Sequence, residues 1–366
     1  MIRVLHVVTH MNRGGLETMI MNYYRNIDRT KVQFDFLTHR SEKKDYDDEI
    51  ESMGGKIFHL PALNPFNLKY RSELNRFFTE HKEYKIVHSH LDCMSSLPLY
   101  YAKKHGVPVR IAHSHNTSQE QNLKFILKKY YRDKIPNNAT DLFACSNMAG
   151  DWMFNNNEYT VMRNAIEAEK YSFDENVRSL IRNELNIDDK TVLGHIGRFN
   201  IQKNHDFLID IFNEYHKMNE SSVLMLIGVG DLEEKIKAKV KNLGLEKDVL
   251  FMGLRSDIPR ILNGMDLFVF PSLFEGFGIV VLEAQANGLA CLITDGITKE
   301  VVILDNLFRM SLDKPAYSWA TRINEIVNKK TERKNTYEYI CKSGYDIKSN
   351  AKWLEDYYLK KAGKNL

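Results

Sequence analysis

Two glutamates eight residues apart, Glu275 and Glu283, flank the most chemically suggestive stretch of the chain, Phe270-Pro271-Ser272-Leu273-Phe274-Glu275-Gly276-Phe277-Gly278-Ile279. An apolar, β-branched run ends at Phe270, and helical character begins near Ile279. The glycines between them let a ligand approach the backbone, and the start of a helix offers unpaired N–H groups to a phosphate. A carboxylate accepts hydrogen bonds from the two hydroxyls of a ribose or from a sugar ring, so both glutamates suit such a ligand. Taken alone, the pair reads more simply as a solvated helix residue beside a glycine turn.

Cations occupy a comparable place earlier in the chain. Arg198 and Lys203 follow the apolar run Val192–Ile196 and bracket a short loop. Together they can neutralise a diphosphate and stabilise it as a leaving group; singly, each reads as a surface ion-pair partner. Gly228-Val229-Gly230-Asp231 follows the next such run and has weak phosphate-loop character. Near the N-terminus, Gly14 and Gly15 in Asn12-Arg13-Gly14-Gly15-Leu16-Glu17 open a helix and again suit an anion or a sugar. The stretch does not match G-x-G-x-x-G, so it carries no dinucleotide fingerprint. Two His-Ser-His triplets, His88–His90 and His113–His115, place alternate residues on one strand face. No further ligand follows either triplet at a recognisable spacing, so no metal is expected. Substrate contact fits their strand-end position better, with packed or surface histidines equally good readings of His88 and His90.

The elements that must hold these residues follow from periodicity. Strands are expected at Arg3–Val8, Gln33–Thr38, Lys56–Leu60, Lys85–His88, Val109–Ala112 and Asp141–Ala144, with helical patterns between them such as Glu17–Asn26 and Ser72–His81. The pattern breaks at 163–176. A second series follows at Val192–Ile196, Val223–Ile227, Val249–Met252, Leu267–Phe270 and Ala290–Thr294. This alternation predicts an α/β chain of two doubly wound parallel-sheet domains facing across a cleft, spanning 1–165 and 166–345. Each candidate group falls just after a strand, where open parallel sheets bind ligands. A last helix in 346–366 carries Trp353, Leu354, Tyr357 and Tyr358 on one expected face.

With 366 residues the chain suits two cores rather than one. Four scattered cysteines and an N-terminus that reads as a strand point to a reducing, cytoplasmic setting. Residues 1–165 hold 23 basic against 18 acidic side chains, whereas the remainder holds 28 against 30. That bias suits phosphates or an anionic surface and is too weak for nucleic acid. The segment 124–134 mixes Lys124, Lys128, Lys129, Arg132 and Lys134 with aromatic and aliphatic residues. It reads equally as a membrane-surface helix and as a helix with a solvated basic face.

In their order and spacing these motifs resemble glycosyltransferase family 4, a retaining family of GT-B fold, over nearly the whole chain. The two glutamates around Gly-Phe-Gly are the most specific mark, and Thr294–Glu300 is similar to the capsular and extracellular polysaccharide branch. The resemblance implies transfer of a hexose, with retention and without a metal cofactor, from a nucleotide-diphosphate sugar. The donor base would most commonly be uracil, and the acceptor a polysaccharide or a lipid-linked oligosaccharide at the inner face of the membrane. By position, Arg198 and Lys203 would hold the diphosphate, Glu283 the ribose and Glu275 the transferred sugar. The backbone of Gly276, Phe277, Gly278 and Ile279 would contact sugar and phosphate, with Gly228 and Gly230 nearby. Gly15, next to Gly14, would close over the donor from the first domain, which the final helix would pack back onto. Either His113 or His115 would touch the reacting sugar, with a slight preference for His115. The family's Asn-Gly-Ile-Asp appears as Asn164-Ala165-Ile166-Glu167, which leaves the hinge geometry open. Two other readings stand beside this one. An epimerase or hydrolase of the same fold would need acid and base carboxylates that the pattern does not demand. A silent nucleotide-sugar-binding subunit would be expected to lack Arg198, Lys203, Glu275 or Glu283, and all four are present.

Overall fold

Apolar runs of four to seven residues, rich in Val, Ile, Leu and Phe, become strands where both of their faces can be covered. The computed structural model describes residues 1–117, 125–329 and 332–363. Its chain divides into two units, Met1–Ile166 with Asp346–Leu366, and Glu167–Tyr345. In the first, β1 (Ile2–Val7), β2 (Val32–Thr38), β3 (Ile57–His59), β4 (Ile86–Ser89), β5 (Val109–Ser114), β6 (Asp141–Ala144) and β7 (Thr160–Val161) form a parallel sheet in the order β3-β2-β1-β4-β5-β6-β7. In the second, β8 (Thr191–Ile196), β9 (Ser222–Ile227), β10 (Val249–Phe251), β11 (Leu267–Phe270), β12 (Cys291–Thr294) and β13 (Leu307–Met310) follow the order β10-β9-β8-β11-β12-β13. Both sheets reverse direction of build-up beside their first strand, between β1 and β4 and between β8 and β11. That switch point is where doubly wound sheets open a crevice for ligands.

Helices cover both sheets and are started by local chemistry. Asn67 Oδ1 accepts hydrogen bonds from the backbone N–H of Lys69 and Tyr70 at the start of Leu68–Glu80. This cap lies five residues before the expected start at Ser72, in a stretch with little apolar periodicity. Asp174 caps Glu175–Leu185 in the same way. The helix His205–Met218 buries Leu208, Ile211, Phe212 and Tyr215 against β-strand side chains and Trp319. Each such side chain removed from water is worth roughly 1.5–3 kcal/mol.

The last helix, Ile347–Lys361, belongs to the first unit. Leu354 and Tyr358 are fully buried there, and Tyr358 Oη lies 2.7 Å from His88 Nδ1. Trp353 departs from the expected buried face: it is 39% exposed, with its ring against Tyr357. Two further strands, β7 and β13, lie at sheet edges outside the expected set, each made a strand by pairing with a single neighbour, β6 and β12. Ala165 is fully buried in the first unit; its carbonyl accepts from Asn22 Nδ2, and Tyr23 Oη donates to the carbonyl of Arg163. No helix among the described residues is long and apolar enough to cross a membrane.

Candidate active site

In the second unit, three loops at the carboxyl ends of β8, β9 and β11 are bound into one surface. Phe199 N–H donates to the carbonyl of Val229 at 3.1 Å, and Leu232 N–H donates to the carbonyl of Phe199 at 3.0 Å. Leu273 N–H donates to the carbonyl of Gln202, whose own Nε2 donates to the carbonyl of Phe274. Asn204 Nδ2 donates to the carbonyl of Pro271. The glycines at 228 and 230 are needed for this packing. A Cβ on Gly228, where φ is +138°, would stand 2.1 Å from the carbonyl oxygen of Gly197. One on Gly230 would stand 2.5 Å from the carbonyl oxygen of Phe199.

That packing brings Lys203 to Glu275. Lys203 Nζ lies 2.6 Å from Glu275 Oε1 and 4.6 Å from the centroid of the Phe270 ring. Both partners are largely buried, so this is not the solvated surface pair that either residue alone would suggest. Arg198, on the same loop, projects into solvent. Gly278, in the left-handed region at φ +81°, caps the helix Ile279–Ala286, and its carbonyl accepts from the N–H of Val281 at 2.9 Å. Phe277 is buried with its ring tilted against Tyr345, which leaves its backbone rather than its ring for a ligand. Ile279 is buried as well.

Glu283 is 5% exposed, not a solvated helix residue. Burial raises its pKa to about 7, and a hydrogen bond from Tyr171 Oη to Oε1 at 2.9 Å holds it from rising further. Tyr171 carries no motif in the sequence, and only the chain path from 168 to 171 brings it under the helix. Thr298, in the segment past β12, caps the turn Lys299–Val301 through the N–H of Glu300.

In the first unit, Gly14 caps the helix Gly15–Asn26 in an extended conformation, and a Cβ there would stand on Glu17 Oε2. His10 Nδ1 lies 3.3 Å from Glu17 Oε1. The two His-Ser-His triplets meet. Strand register sets His6 on β1 beside His88 on β4. Hydrogen-bond distances link His6 Nδ1 to His90 Nε2 (3.0 Å), His90 Nδ1 to His115 Nε2 (2.9 Å), and His88 Nε2 to His113 Nδ1 (3.1 Å). Burial lowers the pKa of His6 and of His115 to about 3, and holds His88, His90 and His113 well below the usual imidazole range. All five rings are therefore neutral at pH 7. His113 is enclosed, whereas His115 at the strand end is half-buried, with its N–H bonded to Asp92 Oδ1. Asp92, held at φ +45°, also accepts from Asn116 Nδ2. Neither His6 nor Asp92 was singled out by sequence reasoning. The alternation of His6 on the first strand was the one available signal, and it needs the register to be meaningful.

Both halves of the chain match family models. Residues 13–170 match Glycosyltransferase Family 4, and residues 177–343 match Glycosyl transferases group 1. The chain is 35% identical to EpsF of Bacillus subtilis, assigned as a glycosyltransferase, over 97% of its own length and 96% of that protein's. It is 24% identical to the Staphylococcus aureus capsular polysaccharide biosynthesis glycosyltransferase CapH, over 99% of each chain. Its fold matches that of Anabaena HepE, solved with UDP-glucose, at a TM-score of 0.77 and 17% identity, covering 99% of this chain and 97% of that one.

Proposed function

The chain belongs to glycosyltransferase family 4, with the GT-B fold and a likeness to its capsular and exopolysaccharide branch, and from that premise we propose a specific reaction. It moves a hexose from a UDP-sugar to a polysaccharide or lipid-linked oligosaccharide acceptor, with retention of anomeric configuration and no catalytic metal. The observation that carries this reading is the packing of the loops after β8, β9 and β11, which sets Lys203 against Glu275 on the loop that carries Arg198 and on the one that leads into the Gly278 helix start.

Each group has a task there. Arg198, exposed on its loop, and Lys203 take the diphosphate, and their charge stabilises it as it departs. Lys203 reaches the phosphate by sharing its ammonium with Glu275, which it holds beside the sugar. The N–H groups after Gly278 supply further donors to phosphate and sugar oxygens. Glu283, fixed by Tyr171, accepts from the ribose hydroxyls. In the first unit, sugar contact belongs to His115 rather than His113, because His113 is enclosed and its Nδ1 is engaged by His88. Cations and helix N–H groups do the electrostatic work that a metal would otherwise do.

The acceptor side is read from the helix Phe125–Asp133. Lys124, expected as part of this segment, lies outside the described residues. Ile126 and Tyr130 are 79% and 57% exposed beside Lys129, and Lys134 Nζ lies 5.5 Å from the Tyr130 ring centroid. Apolar side chains turned outward among lysines suit an anionic lipid surface at the cytoplasmic face, where a lipid-linked acceptor would be presented.

A thermal-shift series with UDP, GDP, ADP and their sugar derivatives tests the donor assignment. UDP ligands are expected to raise the melting temperature of the wild type by mass action, and to lose that effect in Lys203→Ala and Glu283→Ala. Unchanged melting with every nucleotide would refute the reading.

A further inference from the structure

The end of β5 carries a second polar group beside the sugar contact proposed above. We propose that Asn116 is a further contact to the transferred hexose, accepting a hydrogen bond from one of its hydroxyls, and that Asp92 is the positioning residue that aims it. The inference rests on the reading of His115 as the group of the first unit that meets the sugar.

Strand register brings the two residues together. β4 and β5 run parallel with Ser89 opposite Ala112, so Asp92, three residues further on, comes level with His115. The chain arrives there through an uncommon backbone conformation. Asp92 stands at φ +45°, in the left-handed region, where it opens the single 3-10 turn Asp92–Ser95. A residue with a Cβ adopts that region at a cost, which Asp tolerates when its side chain is bonded locally. The other described non-glycine residues with positive φ are Asn155, Asn186 and Asn204, and each of them caps an α-helix. Asp92 caps none. Its conformation instead sends the carboxylate across to the end of β5.

Both carboxylate oxygens are used there. Oδ1 accepts from the backbone N–H of His115 at 3.1 Å, and Oδ2 accepts from Asn116 Nδ2 at 2.6 Å. Burial raises the pKa of Asp92, and these two donors, with the charge of Lys128, oppose the rise. The second bond decides which way the amide of Asn116 lies. A carboxylate oxygen only accepts, so the amide nitrogen faces Asp92 and the amide oxygen points away from it. That oxygen has no hydrogen-bond partner among the described residues, and Asn116 is half-buried. It stands one residue beyond His115, itself half-buried at the strand end. An amide oxygen held in one direction accepts from a hydroxyl and rejects a ring or ether oxygen, so it selects a sugar by where its hydroxyl stands. The plainer role for Asp92 is to pin the end of β5 to that of β4. On that role the amide of Asn116 is incidental, and its loss leaves sugar binding as it was.

Calorimetric titration of the full-length protein with UDP, UDP-glucose and UDP-galactose separates the two. The hexose donor that binds more tightly is then carried through the variants. Asn116→Ala and Asp92→Ala are expected to bind it about fivefold more weakly, and to bind UDP as the wild type does. The exchange of the two side chains, Asp92→Asn with Asn116→Asp, is expected to recover the hexose donor to within about twofold. There the amide at 92 donates to the carboxylate at 116 and still accepts from the His115 N–H, which leaves a carboxylate oxygen turned to the sugar. Melting temperature checks that each protein folds; if Asp92→Ala does not, Asn116→Ala and the exchange decide. Unchanged affinity of Asn116→Ala for the hexose donor, with UDP bound normally, would overturn this inference and leave the donor assignment standing. So would equal weakening of UDP and the hexose donor, or an exchange that binds no better than Asn116→Ala. A wild type that binds no UDP, or UDP but neither hexose donor, would overturn the donor assignment and this inference with it.

Discussion

Glu283 sets a pH dependence whose sign can be worked out. Its folded pKa of about 7 stands above the unfolded value of 4.5, because burial penalises the carboxylate. The stability that comes from keeping it neutral is therefore fully present below pH 4.5 and is lost as pH rises through 7. The span of about two and a half units corresponds to ~3 kcal/mol. Urea unfolding of the second unit at pH 5 and pH 8 should show the wild type losing more stability than Glu283→Gln, which has no proton to lose. Equal losses in the two proteins would remove Glu283 from the account. Tyr171→Phe should weaken UDP binding about fivefold, the worth of one hydrogen bond of roughly 1 kcal/mol, without changing the fold. Lys203→Met should be more costly, because Glu275 is then left buried without that cation, and breaking such a pair costs roughly 3–5 kcal/mol. Residues of this kind were unevenly legible. Arg198, Lys203, Glu275 and Glu283 stand in loops that follow apolar runs, and sequence alone marks them as candidates. Tyr171 is invisible at that level, since a tyrosine in a connecting turn carries no periodicity and its partner lies 112 residues away.

Among elements, the loops make the sharper claim. Gly228→Ala and Gly230→Ala each place a methyl group against backbone of the 197–199 loop, which cannot rotate away as a flexible side chain would. Both should lower the melting temperature and weaken UDP binding, because the displaced loop carries Arg198 and Lys203. Gly244→Ala is the control. Its φ of +72° brings the usual strain of about 1 kcal/mol, but a Cβ there meets nothing within 4 Å, so nucleotide binding should be unchanged. The helix Phe125–Asp133 offers a second element-scale test. Sedimentation with liposomes containing phosphatidylglycerol should pull down the wild type at low salt, and Ile126→Glu with Tyr130→Glu should remain in solution; equal recovery would leave the membrane without a role. Most strands were legible within one or two residues, since long apolar runs such as Val223–Ile227 announce themselves. The short edge strands β7 and β13 were not, because pairing partners rather than propensity make them strands. The histidine cluster was legible only as two triplets. Joining them takes the register of β1, β4 and β5, which no local pattern encodes.

At the scale of the molecule, two sheets that share one order over six strands, the first extended by β7, are built from sequences that share no visible repeat. What sequence shows of this is the break in periodicity at 163–176; the division between Ile166 and Glu167 falls within it. The destination of the last helix was harder to read, since an amphipathic face states what it buries but not against which unit. Its anchoring in the first unit has a consequence that can be measured. Tyr358 is fully buried, and its hydroxyl meets His88 behind the histidine cluster. Tyr358→Ala removes a large ring from that core, at a cost of roughly 3–5 kcal/mol by analogy with Phe→Ala cavities. In a chain of two units a single melting temperature would blur where the loss falls. Amide hydrogen exchange resolves it: protection should drop in β1, β4 and β5, while β8, β9 and β11 keep theirs. UDP should still raise the melting of the second unit in that variant, since Arg198, Lys203 and Glu283, the groups proposed to hold it, lie within Glu167–Tyr345. Uniform loss of protection across both sheets would mean that the two units share one cooperative core.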